Sequence, residues 1–79
     1  MMDHQKIKQG KIHIGRNIRA IRLKKKIGQT ELIPQLQLSN VEMTRETLVQ
    51  IERGIQHIYA TQLRGIRDAL GTSYDELLK

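Results

Sequence analysis

One stretch limits what this chain can become: Thr44-Arg45-Glu46-Thr47-Leu48-Val49-Gln50-Ile51-Glu52-Arg53-Gly54. It opens on a threonine, whose hydroxyl can accept from the free amides of a helical first turn. It closes on Gly54, the residue that best tolerates the left-handed conformation after a helix. The spacing between them predicts one short helix with two unlike faces. At about 100° per residue, Arg45, Glu46, Val49, Gln50 and Arg53 share an arc of about 140°. Thr47, Leu48 and Ile51 point the other way. Arginine and glutamine can make two-pronged hydrogen bonds to guanine and adenine edges, so the first face is suited to the major groove of DNA. The same pattern also describes an ordinary amphipathic helix with a solvated polar face.

Composition sets the bounds around this helix. Seventy-nine residues make one small domain. Its core must be aliphatic, because Phe and Trp are absent and the two aromatics are Tyr59 and Tyr74. Without Cys there is no disulfide framework and no thiolate zinc site. The three histidines, His4, His13 and His57, do not pair at helical ligand spacing, so no metal and no cofactor is expected. Apolar runs are too short for a membrane span or a signal peptide. Fourteen Lys and Arg against eight Asp and Glu give a net charge of +6. A basic surface on so small a domain suggests a polyanion: nucleic acid first, an anionic membrane second. A basic domain with no such partner is the alternative.

Along the chain, residues 1–11 lack hydrophobic periodicity and carry Lys6, Lys8 and Lys11, which reads as a flexible basic arm. Residues 12–79 form the domain. A first helix is expected from Ile14 to Lys25, with Ile14, Ile18 and Ile21 on one stripe and Arg16 and Arg19 outside. Lys24, Lys25 and Lys26 complement the negative end of its dipole, and Ile27 re-enters the core. A second helix is expected after Gly28 as N-cap, with Leu32 and Leu36 as its apolar pair. Pro34 conflicts with it, because proline lacks an amide hydrogen and clashes one turn back. Gln37 to Met43 reads as a connection that buries Leu38, Val41 and Met43. The Thr44–Gly54 helix follows, then a loop anchored by Ile55 and Ile58. A fourth helix runs from Ala60 or Thr61 to Leu70, weakened by Gly65 and stopped by Gly71. Ser73 and Glu76 fit the cap of a fifth, with Leu77 and Leu78 supplying its apolar side. No convincing strand emerges. The expected class is therefore all-α, with five helices.

The order of features is more specific than any one of them. Ile18-Arg19-Ala20-Ile21-Arg22 is followed by Gln29-Thr30-Glu31-Leu32. Then come Thr44 to Gly54, closing on Ile51-Glu52-Arg53-Gly54, and last Ser73-Tyr74-Asp75-Glu76-Leu77. This set resembles the Cro/C1-type helix-turn-helix family of bacterial and phage transcriptional regulators, over about Ile14 to Leu78. The resemblance implies a compact lambda-repressor-like fold, with helices 2 and 3 as the helix-turn-helix and helix 3 in the major groove. It implies base contacts from Thr44, Arg45, Glu46 and Gln50, and phosphate contacts from Gln29 and Thr47. It implies a charged pair, Arg22 with Glu52, that fixes helix 3. Gln29 also opens a helix, where free amides favour an anionic oxygen. Three features depart from the family: a longer connection between helices 2 and 3, Pro34, and Arg67 where a small apolar residue is usual. Arg67 must reach outward or meet an acid.

Residue chemistry fills in the face. Arg45 suits guanine O6 and N7; Gln50 suits adenine; Val49 suits a thymine methyl. Glu46 can accept from cytosine N4, or pair locally with Arg45 or Gln50. Arg53 and His57 are candidates for phosphate. The expected function is a sequence-specific DNA-binding regulator, a repressor, bound as a homodimer to a pseudo-palindromic operator with half-sites about 34–36 Å apart. Tyr74, Leu77 and Leu78 are candidates for the dimer surface, and a protein co-regulator is a further possible partner. The cytoplasm of a bacterium, or of a phage-infected one, is the expected setting. The alternative is a protein-interaction or antitoxin-like module of the same fold. No Ser/His/acid or Cys/His arrangement and no Gly-rich phosphate loop points to an enzyme.

Overall fold

The computed structural model describes residues 6–79. Its elements are β1 (Lys6–Ile7), α1 (Ile14–Lys24), α2 (Gln29–Leu38), α3 (Arg45–Glu52), β2 (Ile58–Tyr59), α4 (Ala60–Leu70) and α5 (Tyr74–Leu78). The five expected helices are present and dominate. The strands are an addition: β1 and β2 pair antiparallel, with Lys6 opposite Tyr59 and Ile7 opposite Ile58. Two-residue strands are too short for alternation to announce them.

This ribbon corrects part of the arm expected over residues 1–11. Residues 1–5 lie outside the described residues. From Lys6 onward the segment is tied down. The Gln9 side chain donates to the carbonyls of Ile51 (3.0 Å) and Gln56 (3.2 Å) and accepts from the Gly15 amide (2.9 Å). It joins the start of α1 to the end of α3.

The core is aliphatic, as composition requires. Ile14, Ile18, Leu32, Leu36, Leu48, Ile51, Ile58, Ile66 and Leu77 are all nearly or fully buried, with Met43, Leu63 and Leu70 beside them. Ile21, Ile27 and Val41 are partly buried against it. Two expected core residues are outside: Leu38 is 86% exposed and Ile55 is 63% exposed. Leu38 lies two residues past Leu36, about 200° further round α2, so helical phase turns it outward. Ile55 follows the left-handed Gly54, and the chain enters the core only at Ile58. Leu77 is fully buried, so it leaves the expected dimer surface, while Tyr74 and Leu78 remain exposed.

Pro34 sits inside α2. Its missing amide hydrogen would have bonded the Thr30 carbonyl. Thr30 and Pro34 are both exposed, so water can take that place. The connection between α2 and α3 is long but pinned. Met43 is buried, and Val41 packs on α4 at Gly65, where a β-carbon would come within 2.7 Å of Val41 Cγ2. At the other side of α3, α1 approaches so closely that a β-carbon on Gly15 would overlap the Ile51 carbonyl oxygen.

Four helices end alike. Lys26, Asn40, Gly54 and Gly71 are left-handed, with φ of 59°, 61°, 77° and 63°. The amide after each reaches back: Ile27 to Arg22, Val41 to Leu36, Ile55 to Gln50 and Thr72 to Arg67. Glycine adopts this turn freely and asparagine readily. Lys26 does so at a cost of about 1–2 kcal/mol. Arg67 does what its position demands. It lies 2.7 Å from an Asp68 carboxylate oxygen and stacks 4.5 Å from the Tyr74 ring centroid. The hydrogen bond to Asp68 is the main reason its pKa is raised.

Candidate nucleic-acid interface

The site begins with the N-cap of α3. Thr44 is extended and its hydroxyl accepts from the Thr47 amide at 3.1 Å. This satisfies one orphan donor of the first turn and fixes where the helix starts. The Thr44 and Thr47 hydroxyls also bond each other at 3.0 Å. At the far end, Gly54 closes the helix as the sequence predicts. Leu48 and Ile51 anchor its inner face, fully buried. What remains outside is the expected set: Arg45 and Glu46 exposed, Val49 and Gln50 partly so. These four line one shallow open depression. Arg53 and His57 are exposed beyond the end of the helix.

A pair of buried charges holds α3 against α1. Arg22 Nε donates to Glu52 Oε2 at 2.8 Å and Arg22 Nη2 to Glu52 Oε1 at 3.0 Å. The side chains are only 7% and 2% exposed. Arg22 Nη1 is used too, on the Ile27 carbonyl at 3.0 Å. Fork-to-fork geometry of this kind fixes direction as well as distance. Among the described residues no buried polar side-chain atom lacks a partner.

Gln29 opens α2 beside the first turn of α3. Its side chain is engaged inside the protein. Nε2 donates to Glu52 Oε1 at 3.1 Å, and Oε1 accepts from Arg45 Nε at 3.3 Å. A continuous polar chain therefore runs Arg22, Glu52, Gln29, Arg45. Glu46 is not part of it. Among the described residues Glu46 forms no ion pair, so the local pairing with Arg45 or Gln50 is not realised.

Three positioning residues escape a reading of the sequence. Gln9 carries no local signal. Gly15 resembles any helix glycine until α1 and α3 are brought together. Asn17 had a signal: it lies three residues after Ile14, on the stripe side. Its amide donates to the Leu77 and Lys79 carbonyls at 2.8 and 3.0 Å, capping α5.

Among the described residues no helix is long and apolar enough to cross a membrane, and no group of three or more His, Cys, Asp or Glu could hold a metal ion. Comparison with known proteins found no matching family model, no matching curated protein and no matching solved structure.

Proposed function

We propose that α2 and α3 form a helix-turn-helix and that α3 enters the major groove of DNA. The carrying observation is the outer face of α3. Arg45, Glu46, Val49 and Gln50 surround one open depression while Leu48, Ile51 and the Arg22–Glu52 pair hold the opposite face. An α-helix with its side chains is about 10–12 Å across. That matches a major groove about 12 Å wide. The net charge of +6 supplies attraction to phosphate. The protein is then a sequence-specific transcriptional regulator, a repressor acting as a homodimer on a pseudo-palindromic operator. Tyr74 and Leu78 are its candidate dimer contacts. Base contacts fall to Thr44, Arg45, Glu46, Val49 and Gln50, and phosphate contacts to Gln29, Thr47, Arg53 and His57.

Selection of bound sequences from a random duplex pool tests this, followed by a salt titration on the selected site. One recovered motif is expected, with affinity falling as salt rises by about 0.9 log unit per phosphate contact for each log unit of salt. A flat salt response, or no enrichment, sinks the reading. A second reading is a protein-binding module of the same architecture. Exposed Leu38 and Ile55, together with the unpaired carboxylate of Glu46, favour it.

A further inference from the structure

Gln9 uses both ends of its side-chain amide, and each bond goes to a different segment. The NH₂ group, which has two hydrogens to give, reaches the carbonyls of Ile51 in the last turn of α3 (3.0 Å) and Gln56 in the loop beyond (3.2 Å). The oxygen takes the Gly15 amide at 2.9 Å, a first-turn donor of α1 that no carbonyl of its own helix can serve. The ribbon places Gln9 for this. Ile7 faces Ile58, and two residues further the same antiparallel register sets Gln9 against Gln56. The clamp therefore closes on residues 53–57, which carry the exposed Arg53 and His57. That segment passes through the left-handed Gly54 and runs into β2. Gln9 joins its two ends, because Ile51 lies before the turn and Gln56 after it.

From this we infer that Gln9 is a positioning residue for contact with the DNA backbone. It fixes where Arg53 and His57 stand relative to α3, so that both meet phosphate while α3 lies in the groove. This rests on the DNA reading above. Phosphate contacts set the register of a protein on the duplex and carry no sequence information of their own. A loop ordered in advance loses less freedom on binding. The clamp is separate from the Arg22–Glu52 pair, which holds the Glu52 side chain and not the backbone beyond it.

The test uses the intact protein. Gln9→Met removes all three bonds, keeps the side-chain length and changes no charge. Binding to a selected and to a random duplex is measured across a series of salt concentrations, at a temperature where urea unfolding shows the variant to be folded. Affinity is expected to fall by the same factor on both duplexes, with a salt slope shallower by about 0.9, one phosphate contact. A neutral substitution that merely weakened the fold would leave that slope as it is, and an unchanged slope overturns the inference. In an Arg53→Gln, His57→Gln background Gln9→Met should change neither affinity nor slope; a further loss there overturns the inference. So does a loss confined to the selected duplex, which would make the clamp act on base reading. A second measurement needs no DNA. The Gln9 side-chain NH₂ protons of the wild type should exchange with water more slowly than those of exposed Gln35; equal rates overturn the clamp itself. Failure to bind any duplex would remove the phosphate role along with the DNA reading, while slow Gln9 exchange would leave the clamp standing.

Discussion

Arg22 and Glu52 meet in the interior as a two-pronged pair, Nε to Oε2 at 2.8 Å and Nη2 to Oε1 at 3.0 Å, and every nitrogen of the guanidinium has an acceptor. A buried pair of this kind adds little net stability over apolar residues, because desolvation offsets the attraction. Its removal by halves is another matter. Glu52→Ala leaves a guanidinium buried without its counter-ion and strips Gln29 of its acceptor. A loss of about 3–5 kcal/mol is expected in urea unfolding. Arg22→Met combined with Glu52→Leu should be much less destabilising than Glu52→Ala. If the double variant is the weaker, the pair stabilises the fold in its own right and the orienting role is not its main one.

Gly15 gives a prediction of unusual sign. Glycine inside a helix ordinarily costs about 1 kcal/mol relative to alanine. Here the β-carbon of Gly15→Ala would overlap the Ile51 carbonyl, a backbone atom that cannot rotate away. Destabilisation of about 2–3 kcal/mol or more is expected, because α1 must move off α3. Thermal unfolding reads it directly. An unchanged or raised midpoint would mean that the two helices do not approach this closely.

Much of this fold can be read from the chain because its signals are local. Thr44 and Gly54 bracket α3, and both do what their chemistry predicts. The apolar stripe at Ile14, Ile18 and Ile21 finds the inner face of α1. The Arg22–Glu52 pair is implied by resemblance, and both residues stand at the edge of their helices' apolar stripes. What escaped is tertiary. Nothing near Gln9 in sequence says that its amide will meet carbonyls of Ile51 and Gln56. Hydrophobicity alone predicts Leu38 and Ile55 in the core, whereas helical phase and a left-handed turn send them outward. The resemblance implies a phosphate contact for Gln29, and only the fold brings Glu52 and Arg45 to its amide as well.

Lys26 carries the one left-handed turn among the four matched helix ends that is filled by neither glycine nor asparagine. Lys26→Gly removes a strain of about 1–2 kcal/mol and adds unfolded-state entropy of about 0.5–1 kcal/mol. The balance is a stabilisation of about 0.5–1 kcal/mol, visible as a higher urea midpoint with an unchanged slope. The same change removes a charge, so it also reports on the basic surface. If Lys26 touches phosphate, the salt dependence of DNA binding should fall by about one contact.

Arg45 is the residue on which the DNA reading is most exposed to failure. It stands at the first position of α3, exposed, with Nε turned to Gln29 and the terminal nitrogens free. Arg45→Ala touches no core residue, so unfolding should stay within about 0.5 kcal/mol of wild type. Binding to the selected duplex should weaken by about 1–3 kcal/mol, with preference relaxed at a single base pair. A different pattern follows if Arg45 merely faces the backbone: every duplex loses affinity alike and the salt slope becomes shallower by about one contact. The ratio of selected to random duplex affinity, measured at two salt concentrations for wild type and variant, separates these cases. If Arg45→Ala leaves binding to both duplexes unchanged, α3 does not present this face to DNA, and Glu46 and Val49 beside it belong to a protein-binding surface instead.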